Sequence, residues 1–247
     1  MFNRAGVDEA AALIKRKGGV VALTGAGISV DSGIPDFRSP GGLWEKFDPA
    51  EYATLSAFTR DPAKVWKLFR ELDEPLAKAR PNRGHRALAD LERKGYLTAV
   101  ITQNIDNLHT AAGNTRVIEL HGTTGRLRCI RCRETYARET VARNTLGFPP
   151  VCPCGGLVKP DVILFEEQLP EDAIRGAFEA AAGAKILLTV GTSGLVMPAN
   201  TVPTVAKRHG ADVIEVNIEE TVLTSSVTDY FVQGSSSDVL PAIVRAL

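Results

Sequence analysis

Charge of one sign is what this chain lacks most plainly. Its 29 Lys and Arg are balanced by 29 Asp and Glu, for a formal net charge of zero. A nucleic-acid binder carries a basic excess, so no direct nucleic-acid partner is expected. No apolar run approaches the ~20 residues needed to cross a bilayer. The N-terminus, MFNRAGVDEAAALIKRKGG, has acids and no apolar centre, so it does not read as a signal peptide, and a cytoplasmic protein without membrane partners is expected. Internal repeats and low-complexity tracts are missing too, and GSSSD near the C-terminus reads as a polar turn before a last helix. What remains is ordinary globular composition, 44% hydrophobic and 23% charged over 247 residues. That is room for one substantial domain, or one domain carrying a smaller insertion.

Cysteine is scarce and confined. The four are Cys129, Cys132, Cys152 and Cys154, a CxxC followed by a CxC. Two disulfides are conceivable, but a chain this long with no export signal has little need of them. Four thiolates in two turns match a tetrahedral structural zinc site, with no open position for a catalytic water. The single spacer in the second pair departs from the usual two.

Short apolar, β-branched runs recur at 20–23, 97–101, 117–120, 162–165, 186–190 and 213–216, and helix-like segments separate several of them. Helices are expected over 8–17, from Asp61-Pro62 through Trp66 and Phe69, over 84–94 and over 170–182. Buried strands alternating with helices predict an α/β fold with a parallel sheet. Residues 36–82 and 123–158 break the rhythm. They read as insertions forming a smaller domain, a helical module and a cysteine ribbon, over a sheet domain of 1–35, 83–122 and 159–247.

Ligands of a parallel sheet bind beyond the carboxyl ends of its strands. The residues there are Gly25-Ala26-Gly27, Gln103-Asn104-Ile105-Asp106, His121-Gly122, Gly191-Thr192-Ser193 and Asn217-Ile218-Glu219. Any one set can be ordinary turn chemistry; five at one sheet edge make a nucleotide-site inventory. His121 suits a general base. His85 in a helix and His109 in the loop after Asp106 compete with it, while His209 reads as exposed. Asp106 either caps a turn or, beside Asn104, hydrogen-bonds a nicotinamide carboxamide, and Glu219 suits a ribose hydroxyl. The dinucleotide fingerprint lacks its last glycine, because Val30 stands there. Glu45 has the spacing of the usual ribose acid but no strand before it. Phe37 and Arg38 read as a buried anchor and a surface cation, or as a cover for a reactive face and a phosphate contact.

The ordered set GAGISVDSGIPDFRS, TQNIDNLH, ELHG, VGTS and VNIEE, with paired cysteines between the third and fourth, resembles the sirtuins, NAD-dependent protein lysine deacylases. The resemblance runs from about Val20 to Val244. It implies a Rossmann-like domain with a smaller inserted zinc-ribbon and helical domain. NAD would be co-substrate, zinc structural, and acyl-lysine proteins or peptides the partners of a monomer. Carried over by motif, Gly25, Ala26, Gly27, Ser29, Asp36, Phe37, Arg38, Gly191, Thr192, Ser193, Asn217, Ile218 and Glu219 belong to the cofactor site. Gln103 and Asn104 would hold the nicotinamide-side ribose, and Ile28, Ile105 and Asp106 the carboxamide pocket. His121 would be the base, with Asn104 beside it, and Phe37 would shield the intermediate.

The resemblance also implies an acyl and peptide channel along Val162, Leu164, Phe165, Glu166, Gly194 and Val196. Members that remove succinyl or malonyl groups carry Tyr-x-x-Arg on the small-domain helix; here Phe69 and Leu72 stand at those positions. A charged acyl group would lie unpaired, so acetyl and longer neutral chains are expected. Glu166 replaces a usual glycine, which implies an altered peptide path or a favoured basic neighbour of the target lysine. Gly194 replaces a usual Leu, which would loosen the opposite side of the peptide pairing. The competing readings are a protein mono-ADP-ribosyltransferase, a non-catalytic NAD sensor and a zinc-ribbon nucleic-acid module.

Overall fold

The computed structural model describes residues 3–37, 41–139 and 146–247. Helix α1 (Arg4–Lys17) begins earlier than composition suggests, because the Asn3 side chain accepts from the amides of Ala5 and Gly6 and caps it. Strand β1 (Val20–Thr24) follows, then α2 (Leu43–Lys46), α3 (Pro49–Tyr52), α4 (Leu55–Arg60), α5 (Pro62–Lys78) and α6 (Arg83–Arg93). Next come β2 (Leu97–Thr102), α7 (Leu108–Ala112), β3 (Val117–Glu119), β4 (Gly122–Cys129), β5 (Thr135–Ala137) and β6 (Val158–Val162). The chain closes with α8 (Glu171–Gly183), β7 (Ile186–Val190), α9 (Val202–Arg208), β8 (Asp212–Asn217), β9 (Tyr230–Gln233) and α10 (Ser236–Ala246).

Six strands form one parallel sheet in the order β3-β2-β1-β7-β8-β9. The chain runs outward from β1 to β3 on one side and from β7 to β9 on the other. The order therefore reverses between β1 and β7, and a crevice opens beyond their carboxyl ends. Helices α1, α6 and α10 cover one face, through Ile14, Leu88 and Leu240. Helices α8 and α9 cover the other, through Ala177, Ala181 and Ala206. Strands β1 and β7, buried throughout, read as unbroken apolar runs for this reason.

The run 162–165 does not join that sheet. Its strand lies one turn earlier, at Val158–Val162, and pairs antiparallel with β4 in a second sheet of order β5-β4-β6. Residues 163–165 instead leave that sheet as an irregular segment, where Phe165 donates its amide to the Ala53 carbonyl and accepts from Leu55. Edge strand β9 went unpredicted because its four residues are half polar and only one is buried.

Helix α5 starts where Asp61-Pro62 predicts: Asp61 Oδ1 accepts from the Lys64 amide, and Pro62 occupies the first turn. Its buried Val65, Trp66 and Phe69 share a core with Phe58, Leu127, Val158, Cys129 and Cys152. Trp66 Nε1 donates to the Val158 carbonyl at 3.2 Å. Helical module and cysteine ribbon thus pack as one unit. Among the described residues no helix is long and apolar enough to cross a membrane.

Candidate active site

The glycines after β1 are required first by the protein itself. Gly27 donates its amide to the Gly191 carbonyl at 2.9 Å, so the loops after β1 and β7 touch backbone to backbone. A Cβ on Gly27 would stand 2.8 Å from Gly191 Cα, and one on Gly25 2.7 Å from Gly191 O. No side chain can enter there, and the two loops form the floor of the crevice.

Beside that floor, Asn104 is almost wholly buried; its Nδ2 donates to the Gly25 carbonyl (3.1 Å) and to Ser29 Oγ (3.0 Å). Ser29 Oγ in turn donates to Asp106 Oδ2 at 2.7 Å. The other Asp106 oxygen accepts from the Leu108 amide, so the carboxylate caps α7 and also faces the crevice. Gln103 Nε2 donates to Thr192 Oγ1 (2.9 Å), and Asn217 Nδ2 to the Thr192 carbonyl (3.1 Å). Three strand ends are thereby tied together across the switch point.

His121 follows β3. Its Nδ1 lies 3.0 Å from the Gln103 carbonyl. A carbonyl only accepts, so Nδ1 carries the proton and Nε2 keeps a lone pair. Burial pushes the imidazole pKa below its ordinary value, while the carbonyl bond pulls it back up. The ring is therefore neutral at pH 7, as a base must be.

The other two inward histidines lie beneath the site. His109 falls in α7, not in a loop, and only 2% of it is exposed. Its Nε2 donates to Thr24 Oγ1 at 2.9 Å, the Thr24 hydroxyl donating onward to Thr102. The His85 ring centre lies 4.9 Å from that of His109, and both Nδ1 atoms lack partners among the described residues. Burial drives His85 down to about 4 and His109 down to about 3. His209 is exposed at the end of α9, as expected.

These elements line one cavity of about 1100 Å3. Its polar, nucleotide-like lining holds Gly25, Ala26, Gly27, Ser29, Asp36, Phe37, Gln103, Asn104, Ile105, Asp106, Gly191, Thr192, Ser193, Asn217, Ile218 and Glu219, and His121 lines it too. Its apolar end holds Phe69, Leu72, Val162, Leu164 and Phe165, and Glu166 and Val196 also line it. Two expected residues do not: the Ile28 side chain is fully buried in the sheet core, and Gly194 lies behind the wall. Arg38 lies outside the described residues. No Lys or Arg is among the described residues that line the cavity.

Several wall residues were missed. Leu68 and Leu76 extend the apolar face of α5, a continuation visible in its i, i+4 spacing. Trp44 packs at a tilt against Phe37 (5.0 Å between ring centres) and reaches towards Phe165 (6.4 Å). The GSSSD stretch is more than a turn: Ser235 caps α10, and Gly234, Ser235 and Ser236 reach the cavity.

Glu166 does not behave as a free acid beside a peptide. Its carboxylate accepts from the Ser56 amide (2.9 Å) and Ser56 Oγ (3.0 Å), at the N-terminus of α4. Its φ of 74° is the left-handed geometry that usually asks for glycine.

The cysteines converge. All four Sγ atoms lie within 4.8 Å of one another, with Cys129–Cys154 at 3.6 Å and Cys132–Cys152 at 3.5 Å. Thiolates about 2.3 Å from zinc at tetrahedral corners stand about 3.8 Å apart, so the set fits zinc despite the CxC spacing. Tyr136 donates its hydroxyl to Cys152 Sγ, which is the first cause holding that thiol down to about 6. A Cβ on Gly156 would meet Cys129 Sγ at 2.6 Å, so a glycine is needed beside the cluster.

Fold and site together define a class: a parallel α/β nucleotide-binding protein whose switch-point crevice is walled on one side by a helical module that packs on a four-thiolate ribbon. The model of the Sir2 family matches residues 25–198, and the chain belongs to that family. It is 48% identical over 226 residues to NAD-dependent protein deacylase 2 of Pyrobaculum aerophilum, covering 91% of this chain and 89% of that one. A solved Sir2 enzyme, from work on the mechanism and regulation of these enzymes, superposes with TM-score 0.91 at 42% identity, covering 99% and 98% of the two chains. A Sir2 complex with p53 peptide and NAD+ superposes with TM-score 0.88 at 34% identity, covering 96% of each.

Proposed function

We propose that this protein removes neutral acyl groups from protein lysines in an NAD-dependent reaction that yields nicotinamide, O-acyl-ADP-ribose and free lysine. The observation that carries the reading is His121. It presents a neutral imidazole, oriented through Nδ1 by the Gln103 carbonyl, to a cavity with a glycine-floored polar end and an apolar end. The acyl oxygen attacks the anomeric carbon of NAD as nicotinamide leaves. His121 Nε2 takes the proton from a ribose hydroxyl, and that hydroxyl attacks the acyl carbon before water completes the reaction. Gln103 and Asn104 hold the ribose, Ser29 and Asp106 face the carboxamide, and Thr192, Ser193 and Asn217 serve the adenosine side. Phe37, packed against Trp44, screens the reacting carbon from water.

The acyl preference follows from α5. Phe69 and Leu72 are buried and line the cavity with Leu68 and Leu76. With no described Lys or Arg on the wall, a succinyl carboxylate would be desolvated and unpaired, a loss of several kcal/mol. A methyl or a longer alkyl chain meets only carbon. Residues 1–35, 83–122 and 159–247 would form the NAD-binding body, and 36–82 with 123–158 the smaller domain. The monomeric state expected from the resemblance is kept within this proposal. The neutral net charge favours acyl-lysine peptides over nucleic acid as partners, and the cytoplasmic setting expected from the sequence is kept within this proposal.

The test incubates the protein with NAD and acetyl-, succinyl- and myristoyl-lysine peptides and follows products by mass. Acyl-ADP-ribose is expected in step with free lysine, and succinyl-lysine is expected to be the poorest substrate. Nicotinamide release without acyl peptide would instead point to ADP-ribosyl transfer. His121→Tyr is expected to abolish turnover and keep the fold.

A further inference from the structure

One buried acid has no place in that reaction. Glu215 sits on β8 with 1% of its surface exposed, and its partners are three hydroxyls, none of them charged. Thr221 donates to Oε1 at 2.6 Å, and Thr224 and Thr228 each donate to Oε2 at 2.8 Å. All three threonines come from the single loop between β8 and β9. A buried carboxylate satisfied by neutral donors alone is a poor source of stability, because desolvation works against it. What it fixes is geometry.

The clasp is directional. With their protons committed to Glu215, Thr221 Oγ1 accepts from the Leu223 amide (3.0 Å) and Thr224 Oγ1 accepts from the Thr221 amide (2.8 Å). Each hydroxyl thus converts the position of the carboxylate into a position of loop backbone. The same loop faces the cavity through Glu219, Glu220, Thr221, Val222 and Ser225. Leu223 is buried by the same arrangement and lies against Gly194. A Cβ there would stand 2.7 Å from Leu223 Cγ, and Gly194 has φ +70°. The glycine at 194 is therefore the space that Leu223 occupies, a packing requirement that arises within the protein itself.

We infer that Glu215 is a positioning residue for the cofactor: its clasp on Thr221, Thr224 and Thr228 sets the loop that the adenosine end of NAD meets. The inference rests on the proposed placement of adenosine at Asn217–Glu219. It goes beyond that placement by assigning the loop's shape to a residue that touches neither substrate. Gln in place of Glu keeps the volume but leaves one oxygen. Its amide nitrogen then faces Thr221 Oγ1, which already accepts from Leu223, and the Thr221 proton loses its acceptor.

The experiment compares wild type, Glu215→Gln and Asn217→Ala for ADP-ribose affinity by calorimetry, for KM of NAD and of acetyl-lysine peptide, and for kcat. Glu215→Gln is expected to raise the ADP-ribose Kd and the KM for NAD about tenfold, with kcat and peptide KM within twofold. Thr224→Val and Thr228→Val, which remove one hydroxyl at constant shape, should each give about a threefold rise and serve if Glu215→Gln fails to fold. ADP-ribose binding by Glu215→Gln within twofold of wild type, beside a weakened Asn217→Ala, overturns the inference while the adenosine placement stands. Wild-type binding by Asn217→Ala instead overturns that placement. The clasp is then judged by amide hydrogen exchange over residues 221–228 of the ligand-free protein. Exchange at least tenfold faster in Glu215→Gln supports the positioning role, and unchanged exchange overturns it.

Discussion

Lowering the pH should weaken this protein through His109, by an amount the structure sets. The ring is 2% exposed; burial, reinforced by neighbouring His85, holds its pKa at about 3, against 6.5 for a free imidazole. Between those values the unfolded chain binds a proton that the folded chain refuses. Stability therefore rises with pH across this window and falls as pH drops below about 6.5. At pH 5 the gap from the unfolded pKa is about 1.5 units, which at ~1.4 kcal/mol per unit is about 2 kcal/mol lost relative to pH 8. His109→Gln keeps a donor for Thr24 Oγ1 and removes the titration. The variant should be destabilised at pH 8, where it forfeits ring packing, yet about 2 kcal/mol less so at pH 5. With a urea slope of about 3 kcal/mol per M, the gap between the two midpoints should narrow by about 0.7 M. Groups remote from position 109 titrate alike in both proteins and cancel in the comparison, and neighbouring His85, held down to about 4, stays largely neutral at pH 5. A midpoint gap that stays constant from pH 8 to pH 5 would refute the reasoning.

Three further outcomes follow from contacts described above. Gly27→Ala drives a Cβ to 2.8 Å from the Gly191 backbone, an overpacking of about 1–3 kcal/mol that should also raise the KM for NAD at least tenfold; Gly183→Ala, with nothing within 4 Å, should be neutral or slightly stabilising in the same melts. Removing zinc with a chelator should lower the melting temperature and change the near-UV signal of Trp66. It should also raise the KM for acyl peptide more than that for NAD, because Cys129 and Cys152 share a core with Trp66 and Phe69. Glu166→Ala should lose the carboxylate that accepts from Ser56 at the start of α4 while keeping the left-handed strain, whereas Glu166→Gly loses the same contact and relieves the strain. The glycine variant should be the more stable of the two by about 1 kcal/mol, read from thermal melts, with no change in preference for basic neighbours of the target lysine.

Much of the fold was legible because its signals are local. Buried parallel strands read as unbroken apolar runs, Asp61-Pro62 announces α5, and two cysteine pairs can converge wherever the chain turns. The run at 162–165 misled because periodicity marks burial and not the sheet that supplies it: Val158–Val162 pairs with β4 in the second sheet, not with the parallel one. The partners of Glu166 and Gly194 were illegible for a related reason: Ser56 and Leu223 are remote in sequence and meet them only in the folded chain. Gly25 and Gly27 were legible as a tight turn, but the surface that excludes a side chain there belongs to Gly191.

By itself, then, the sequence determined which chemistry is on hand and in what order it is strung. Turn-formers follow strands, an imidazole follows β3, two thiol pairs lie in one window, and an apolar helix carries no cation at Phe69 and Leu72. Tertiary structure alone decided which nitrogen of His121 keeps its lone pair, because the Gln103 carbonyl that fixes it arrives from another strand. It alone placed Glu215 under three threonines. Side-chain type is a property of one residue, but orientation and burial belong to pairs, and these pairs meet only when the sheet closes.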